Sequence, residues 1–466
     1  MKPLAVFGTG SDAGKSSLVM ALCRIFADQG IKVAPFKAQN ISNNSGVTPD
    51  GREISRAQCL QAEAARVEPS YLFNPVLLKS HAIDSVQVIV NGLVHKRQPI
   101  TAYYDAIDEL KLHVQQAFTR LQQDYELVIA EGAGSPVELN LIDKDLSNTF
   151  IANTFNTKNI LVADIERGGV FASIYGTMAL MDPVMRSNLI GVVINKFRGD
   201  RAFFDEGEKI IKDRFGLPVL GVLPFHSLNI DMEDAQSLGN YQQRLDDVKI
   251  RIAVIAYPGL SNYNDLDVLM ADPEISVELI SAYRSLNHFD VVILPGSKTV
   301  IRDLLWLKEQ GLFGELKEFK NPIFGLCGGY QMFCKSLHDP DGLEHNVASI
   351  EEGLGFIDDI VIYQSTKILR SGYYQLFSYT AIKGYEIHSG RMDKYPLCYE
   401  DEHFMGTHVH GVFDDNTFRN DYFKAMNPLY HGFDYVQYRE EQIQGFTDMV
   451  AKNLDTAAIL QMLQTD

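Results

Sequence analysis

Short apolar runs alternate with amphipathic patterns along the first half of the chain. The run LAVF at residues 4–7 precedes a stretch with apolar side chains at helical spacing, which predicts a helix from about Lys15 to Gln29. Later runs typical of buried strands are KVAPF, LVIAEG, ILVADI, IGVVIN and VLGVLP. Because buried strands that alternate with helices are typical of a parallel sheet covered by helices, we predict an α/β fold here.

The pattern changes between about residues 227 and 249, where polar and acidic residues leave no long apolar face. A second α/β series follows, with IRIAVIAY, VELI, DVVILPG and PIFGL as strands, and after about residue 415 the chain is predicted to be helical. A chain of 466 residues also exceeds one typical core. We therefore predict a first domain over 1–228, a linker over 229–249 and a second domain with a helical tail over 250–466.

Composition and charge disfavour several classes of molecule as binding partners of this protein. Hydrophobic residues make up 46% of the chain, and its formal net charge is −18, which disfavours binding to nucleic acid or anionic lipid. No apolar run approaches the ~18 residues of a membrane helix, and the N-terminus lacks a signal-peptide pattern. The five cysteines lack zinc-like spacing. We predict a cytoplasmic protein that acts on small molecules, with no nucleic-acid or membrane partner.

A glycine-rich turn, FGTGSDAGKSS at residues 7–17, follows the first predicted strand. The usual phosphate-binding loop has the pattern G-x-x-x-x-G-K-[ST], but here Gly8 stands one residue too early relative to Gly14. Backbone N–H groups of such a turn converge on phosphate oxygens. Lys15 is predicted to reach the terminal phosphates and Ser16 to bind a magnesium ion. The predicted nucleotide-binding residues of this loop are Gly8, Gly14, Lys15, Ser16 and Ser17.

Polar residues at other strand ends and turns extend this predicted nucleotide site. Glu131 opens EGAGSP after a buried run and Asp50 lies in the turn TPDG, so both are predicted magnesium ligands. Lys37 ends the second strand and is predicted to stabilise a phosphoryl group during its transfer. Asn195, in INKFRGD, is predicted to hydrogen-bond an adenine edge. The two acidic residues and Asn195 also have an ordinary structural interpretation.

A nucleophile is predicted in NPIFGLCGGYQMF, residues 321–333. An apolar strand runs into Cys327, and Gly328 and Gly329 follow it before an apolar helix. This arrangement is typical of a nucleophile elbow, in which a tight strand-to-helix turn presents one side chain to substrate. The other four cysteines are predicted to be inert buried thiols.

A cysteine nucleophile needs a base and an oxyanion site. GTHVHGVF offers His408 and His410, which share a face in a strand, so spacing alone does not choose between them. The N–H groups of Gly296, in LPGSK, and of Gly328 are predicted to form the oxyanion hole.

Another polar pair, Glu386 and His388 in GYEIHSG, lies in the same half of the chain. The pair is a hypothesis for orienting the base or binding glutamine. The alternative is a polar pair at a sheet edge.

These motifs together resemble known enzymes. The second half is similar to class I glutamine amidotransferases, flavodoxin-like α/β domains that release ammonia from glutamine. The loop with five residues between its glycines is similar to that of the dethiobiotin synthetase group of P-loop enzymes. The chain resembles the cobyric acid synthase family in the stretches FKAQNISNNS, TPDGREISRAQ, NPVLLK, QVIVNG, EGAGSPVELNL, ADIERGGVFAS, NKFRGD, LPGSK, GLCGGYQM and GYEIHSGR.

The resemblance implies a two-domain enzyme with ATP and Mg²⁺ as cofactors. The first domain would activate carboxylates as acyl phosphates, and ammonia from glutamine would amidate them. The implied substrate is adenosylcobyrinic acid a,c-diamide, amidated at its b, d, e and g carboxylates in cobalamin biosynthesis. The added loop residue is expected to bulge near Ser11 and Asp12.

The resemblance also implies residue roles. Cys327 and His410 match the family's nucleophile and base. Lys15, Ser16 and Glu131 match its phosphate and magnesium positions. A substrate-side role near the activated carboxylate is carried over to Asp145, in LNLIDKDLSN.

The sequence departs from the family pattern at three places. Val412 replaces the glutamate that many class I domains carry two residues after the histidine, although this subgroup works with a Cys–His pair. His408 stands where a bulkier residue is expected, and SHAIDS after Lys79 lacks an expected proline.

The sequence disfavours three alternatives. The a,c-diamide synthase of the same pathway is disfavoured by FKAQNISNNS. A partitioning-type ATPase would carry a lysine at the position of Gly10, and a regulatory protein with an inactive glutaminase would have lost Cys327 or His410.

Overall fold

The computed structural model describes residues 1–82, 85–231, 246–344 and 347–465. These residues form two compact units. The first comprises Met1–Ser42, Glu53–Leu228 and Glu440–Asp466, and the second comprises Asn43–Arg52 and Asn229–Arg439.

The strands and helices are named in chain order. The strands of the first half are β1 (Leu4–Gly8), β2 (Val33–Phe36), β3 (Gln39–Ile41), β4 (Ser45–Val47), β5 (Glu53–Ser55), β6 (Val76–Ala82), β7 (Ser85–Val90), β8 (Leu93–Pro99), β9 (Leu127–Glu131), β10 (Lys158–Asp164), β11 (Leu189–Phe197) and β12 (Val219–Pro224). Those of the second half are β13 (Ile250–Ile255), β14 (Ile275–Ile280), β15 (Val291–Leu294), β16 (Ile323–Leu326), β17 (Cys334–Asp339), β18 (Ser349–Glu352), β19 (Ile357–Leu376), β20 (Tyr379–Arg391), β21 (Cys398–Glu400), β22 (Phe404–Thr407) and β23 (Val409–His410). The helices are α1 (Lys15–Asp28), α2 (Arg56–Ala64), α3 (Ile100–Asp105), α4 (Ile107–Asp124), α5 (Thr149–Phe155), α6 (Val170–Leu180), α7 (Pro183–Ser187), α8 (Asp205–Phe215), α9 (Asp267–Ala271), α10 (Val300–Glu309), α11 (Leu312–Glu318), α12 (Gly328–Gln331), α13 (Asn416–Met426), α14 (Tyr435–Asn453) and α15 (Thr456–Gln464).

The first unit is built on a parallel six-stranded sheet in the order β12-β11-β10-β1-β9-β2. Its strands are buried on both faces, which explains why they form continuous apolar runs. Helix α4 packs on the sheet, where the rings of Phe36 and Phe118 meet edge to face with centroids 4.9 Å apart. Because β1 and β9 are parallel neighbours, the loops that follow them emerge at the same sheet edge. A four-stranded sheet, β3-β6-β7-β8, completes the unit.

The second unit contains a six-stranded sheet in the order β14-β13-β15-β16-β22-β21, parallel except for β21. A five-stranded sheet, β18-β17-β19-β20-β23, includes the long antiparallel pair β19–β20. The α/β architecture predicted for both halves is confirmed. No helix among the described residues has the length and apolar character needed to cross a bilayer.

The C-terminal tail differs from the predicted domain division, because residues 440–466 pack with the first unit. The backbone N–H of Asp455 donates to Leu220 O at 2.9 Å. At the start of the chain, the N–H of Lys2 donates to Leu463 O at 2.9 Å. These backbone bonds, together with burial of apolar side chains of α14 and α15, attach the tail to the parallel-sheet unit.

The predicted linker over 229–249 is only partly described, since residues 232–245 lie outside the described residues. Its first residues belong to the second unit, where Ile230 is buried. The N–H of Asp231 donates to Asp267 Oδ2 at 2.8 Å, so this end of the segment is packed rather than extended in solvent.

Candidate active sites

The glycine-rich turn connects β1 to α1 in the first unit. Asp12 has φ +57° and Gly14 has φ +96°, both in the left-handed region. The expected bulge near Asp12 coincides with this unusual backbone conformation. A Cβ on Gly14 would lie 2.1 Å from Asn195 Nδ2, so only glycine fits there without movement of the asparagine.

The ammonium group of Lys15 is held against this turn. Its Nζ donates to Gly10 O and to Gly134 O, both at 2.9 Å, and the residue is buried. The first carbonyl belongs to the turn after β1 and the second to the loop after β9. Lys15 therefore joins the two loops at the sheet edge where phosphates are predicted to bind.

Glu131, buried at the end of β9, is the centre of a polar cluster. Its Oε1 accepts from Lys37 Nζ at 2.6 Å and from Ser16 Oγ at 2.7 Å. Its Oε2 accepts from Gln61 Nε2 at 2.7 Å. The structure thus brings together Ser16, Lys37 and Glu131, which sequence analysis selected separately. Gln61, a buried polar residue on α2, was missed because nothing in a helical pattern marks it.

The chemistry of this cluster fits Mg²⁺. The hydroxyl of Ser16 and the carboxylate of Glu131 are hard oxygen donors in direct contact. Mg²⁺ is commonly held by one or two such groups, with water and phosphate oxygens completing its shell. Among the described residues there is no group of three or more acidic, histidine or cysteine side chains arranged as an all-protein metal site.

Asp50, the other predicted metal ligand, lies in the segment Asn43–Arg52, which packs in the second unit. Its carboxylate accepts a hydrogen bond from the hydroxyl of Thr48. The geometry of the Glu131 cluster therefore gives no support to a metal role for Asp50.

Asn195, which is predicted to hydrogen-bond an adenine edge, contacts the backbone of the glycine-rich turn. Its Nδ2 donates to Ala13 O at 2.9 Å and stabilises the backbone beside Gly14. Sequence analysis did not predict this role, and contact with an adenine stays a prediction.

The predicted substrate-side residue, Asp145, accepts hydrogen bonds from backbone N–H groups. The donors are the N–H groups of Ser147 at 3.2 Å, Asn148 at 3.0 Å and Phe150 at 3.0 Å. A cavity of about 120 Å³ lies here, lined in part by Ser135 and Lys144. Asp145 thus shapes a cavity wall, and direct contact with substrate stays a prediction.

In the second unit, Cys327 lies between β16 and α12. Its φ of +48° and ψ of −104° are rarely adopted by a residue with a side chain. A Cβ on Gly329 would lie 2.0 Å from Leu294 O, and one on Gly328 would lie 2.8 Å from Ser297 N. The two glycines therefore permit the close approach of backbone that this tight turn requires.

His410, on β23, is buried and close to Cys327. Its Nδ1 lies 2.7 Å from Asp265 Oδ2. Burial lowers the pKa of His410, but the negative charges of the Asp265 carboxylate and of a Cys327 thiolate raise it above its ordinary value overall. Asp265 lies in the 3-10 turn Tyr263–Leu266, and sequence analysis missed it. Nothing in its spacing distinguishes it from neighbouring acidic residues.

His408 has a different environment from His410. Its Nδ1 donates to Pro396 O at 2.8 Å, so its Nε2, 3.1 Å from Gln331 Nε2, is the acceptor. The ring stacks on His388 with centroids 3.9 Å apart. Burial, with repulsion from His388, holds the pKa of His408 well below its ordinary value. These contacts satisfy both ring nitrogens of His408, so the geometry favours His410 as the base.

The contacts of Glu386 and His388 give no support to the hypothesis that they orient His410. His388 Nδ1 donates to Gly390 O at 2.8 Å, and its Nε2 lies 3.4 Å from Glu386 Oε2. The carboxylate that contacts His410 Nδ1 is that of Asp265. Glutamine binding by Glu386 stays a prediction.

The predicted oxyanion glycines lie beside the same residues. A Cβ on Gly296 would lie 3.1 Å from His410 Cε1. Gly328 directly follows Cys327. Both positions suit a backbone approach to substrate, and donation to an oxyanion stays a prediction.

An early segment of the chain, Asn43–Arg52, packs against residues that contact His410. Val47 packs with Tyr385 and Ile387, and the Tyr385 ring stacks on His410 with centroids 5.1 Å apart. The N–H of Ser45 donates to Asn262 Oδ1 at 3.2 Å, and Asn262 Nδ2 lies 3.4 Å from His410 Nε2.

Comparisons with known proteins agree with these two groups of residues. Residues 4–237 match a CobQ/CobB/MinD/ParA nucleotide binding domain, and residues 251–418 match a CobB/CobQ-like glutamine amidotransferase domain. The chain is 50% identical to a cobyric acid synthase of Acinetobacter baylyi over 464 residues, covering 100% of both chains. It is 39% identical to one of Anoxybacillus flavithermus (98% of this chain, 96% of the other) and 37% to one of Citrobacter koseri (98% and 97%). The protein is thus a glutamine amidotransferase of the ligase type, and the chain belongs to the cobyric acid synthase family.

Proposed function

We propose that this enzyme uses ATP and glutamine to amidate the b, d, e and g carboxylates of adenosylcobyrinic acid a,c-diamide. The observation that carries the proposal is the presence, in one chain, of a glycine-rich turn beside Glu131 and of Cys327, whose N–H donates at 2.8 Å to Thr407 O, close to His410 in the chain. One group of residues suits activation of a carboxylate and the other suits release of ammonia. The names of the full-length relatives support the corrinoid product.

In the first unit, the turn and Lys15 would bind the triphosphate, and Ser16 and Glu131 would hold Mg²⁺. Bound Mg²⁺ neutralises phosphate charge. Lys37 stabilises the γ-phosphoryl group as it passes from ATP to a substrate carboxylate oxygen, with ADP leaving. Ammonia then attacks the acyl carbon, phosphate leaves, and an amide remains.

The cavity beside Asp145 supports a place for the accepting carboxylate. It is near Gly134, whose carbonyl binds Lys15, and its volume of about 120 Å³ suits one side chain of the substrate rather than a whole macrocycle. The Ser135 hydroxyl lines it and is buried without a hydrogen-bond partner in the described structure. A ligand carboxylate would satisfy that hydroxyl.

In the second unit, His410 takes the thiol proton of Cys327, and the thiolate attacks the amide carbon of glutamine. The N–H groups of Gly296 and Gly328 stabilise the oxyanion. His410 returns the proton to the leaving ammonia, and water then hydrolyses the thioester to glutamate.

The test is a comparison of nitrogen sources. In Cys327→Ala, amidation with glutamine is lost while amidation with ammonium salts persists, whereas Lys15→Ala loses both. Cys398→Ala, at a half-buried cysteine of the same unit, is the matched control and retains both activities. Continued use of glutamine by Cys327→Ala would contradict the proposal.

Mass spectrometry of the product identifies the substrate. Addition of four amides supports the assignment. Addition of two amides to a corrinoid without them would instead indicate the a,c-diamide synthase reaction.

A further inference from the structure

The base of the proposed glutaminase lacks the usual acidic partner. Val412 stands two residues after His410, where many class I domains carry glutamate, and it is buried among apolar side chains. An aliphatic side chain neither accepts a hydrogen bond nor stabilises an imidazolium. If nothing replaced that glutamate, the imidazole ring would be free to adopt either tautomer.

Asp265 makes two hydrogen bonds, one to the ring of His410 and one to the backbone of Gly411. Its Oδ2 lies 2.7 Å from His410 Nδ1, and its Oδ1 accepts from the Gly411 N–H at 2.7 Å. Both side chains are almost completely buried, at 2% exposure for Asp265 and 1% for His410. The backbone bond fixes the direction of the carboxylate, so its other oxygen stays aimed at the ring.

These contacts determine the tautomer of His410. An ionised carboxylate only accepts hydrogen bonds, so Nδ1 must carry a hydrogen. In the neutral ring, Nε2 is then the acceptor. Asn262 Nδ2, an amide donor, lies 3.4 Å from Nε2, which agrees with an acceptor at that nitrogen. When the ring is neutral, Nε2 is therefore the nitrogen that can take a proton from a thiol.

We propose that Asp265 is the positioning residue of the glutaminase base, replacing the missing glutamate from a turn 145 residues earlier in the chain. This inference rests on the proposed glutaminase activity. Asp265 touches the base and not the substrate. It holds the Nε2-acceptor tautomer of His410 and stabilises the imidazolium that forms when Cys327 loses its proton.

The decisive variant is Asp265→Asn, which preserves side-chain size. Its carbonyl oxygen still accepts from the Gly411 N–H, but its amide N–H now faces Nδ1 and moves the ring hydrogen to Nε2. We expect kcat for glutamine hydrolysis to fall by about 10²-fold to 10⁴-fold, with KM for glutamine little changed. Alkylation of Cys327 by iodoacetamide is expected to slow as well, and ammonium-dependent amidation is expected to persist.

The matched control is Asp267→Asn, two residues away. Asp267 is equally buried and accepts the Asp231 N–H at 2.8 Å, without a contact to the base among the described residues. It is expected to keep its glutaminase kcat within a few-fold. The inference is overturned if Asp265→Asn keeps kcat and thiol reactivity, or if it loses ammonium-dependent amidation together with glutamine use. Neither result would alter the nitrogen-source test of Cys327→Ala, so the two proposals fail separately.

Discussion

The nucleotide-side residues and the glutaminase residues are assembled in different ways. Glu131 lies at the end of β9, and two of its contacts come from Lys37, directly after β2, and from Ser16, in the first turn of α1; both reach its Oε1. Around His410, Cys327 follows β16 and Gly296 follows β15, so these two residues also lie at strand ends of a parallel sheet. The carboxylate that contacts the ring, from Asp265, lies in a 3-10 turn, and the segment Asn43–Arg52 packs against Tyr385, whose ring stacks on His410.

This difference explains what sequence can reveal. Parallel strands place their carboxyl ends at one edge, so polar residues after separate apolar runs can be grouped without coordinates. No such rule links Asp265 or Val47 to His410. Motifs therefore identify the reactive groups of both sites but not the residues that orient the second one.

The largest effect that would test this comparison is expected from Glu131→Gln. The change removes the carboxylate from buried Lys37 and weakens the hold on Ser16, so amidation with either nitrogen source should fall by about 10³-fold. Glutamine hydrolysis measured alone should persist. Glu126→Gln, at an exposed residue just before β9, is the control. Parallel loss of glutaminase activity would show that the two groups of residues are not separable.

A second effect is expected from Gly14→Ala. The new Cβ would lie 2.1 Å from Asn195 Nδ2, on a backbone with φ of +96°, so affinity for an ATP analogue should fall by about 10²-fold in calorimetry. Gly10→Ala is the control, since a Cβ there meets no atom within 4 Å. Equal affinities of the two variants would show that the turn tolerates a side chain at residue 14.

The sequence does not predict the place of residues 440–466, the contact of Gln61 or the contact of Asn195, because each depends on how the chain folds. The strands of the first parallel sheet, and β13 to β16 of the second, are predicted because burial on both faces leaves continuous apolar runs. The helix α1 is predicted from apolar side chains at helical spacing, whereas β21 and β22 are not predicted. The packing of residues 440–466 with the first unit depends on backbone bonds such as that from Asp455 to Leu220, which no side-chain pattern records. Gln61 was missed because a buried polar residue on a helix looks like any exposed one. Asn195 was selected, but its bond to the turn backbone depends on the geometry of the fold.

A smaller effect is expected from Val47→Asp, which tests the dependence of the glutaminase on an early segment. An unpaired carboxylate beside Tyr385 and Ile387 would loosen the ring that stacks on His410. We expect glutamine hydrolysis to fall about 10-fold, with ammonium-dependent amidation retained. Val94→Asp, at a partly exposed valine of β8, serves as the control. An unchanged glutaminase rate would show that the segment only fills space.

The smallest effect concerns a buried carboxylate near the oxyanion glycines. Asp303 accepts from the Gly259 N–H at 2.9 Å and from the Ser297 hydroxyl, yet burial raises its pKa to about 6. A carboxyl group with a raised pKa binds more protons when folded than when unfolded, so stability is lost as pH rises through the folded value. Asp303→Asn lacks this titration. From about pH 5 to about pH 7.5, its unfolding free energy should rise relative to that of the parent protein by about 1 kcal/mol. Urea unfolding at the two pH values measures the difference, and a constant difference would show that Asp303 ionises in the fold as easily as in water.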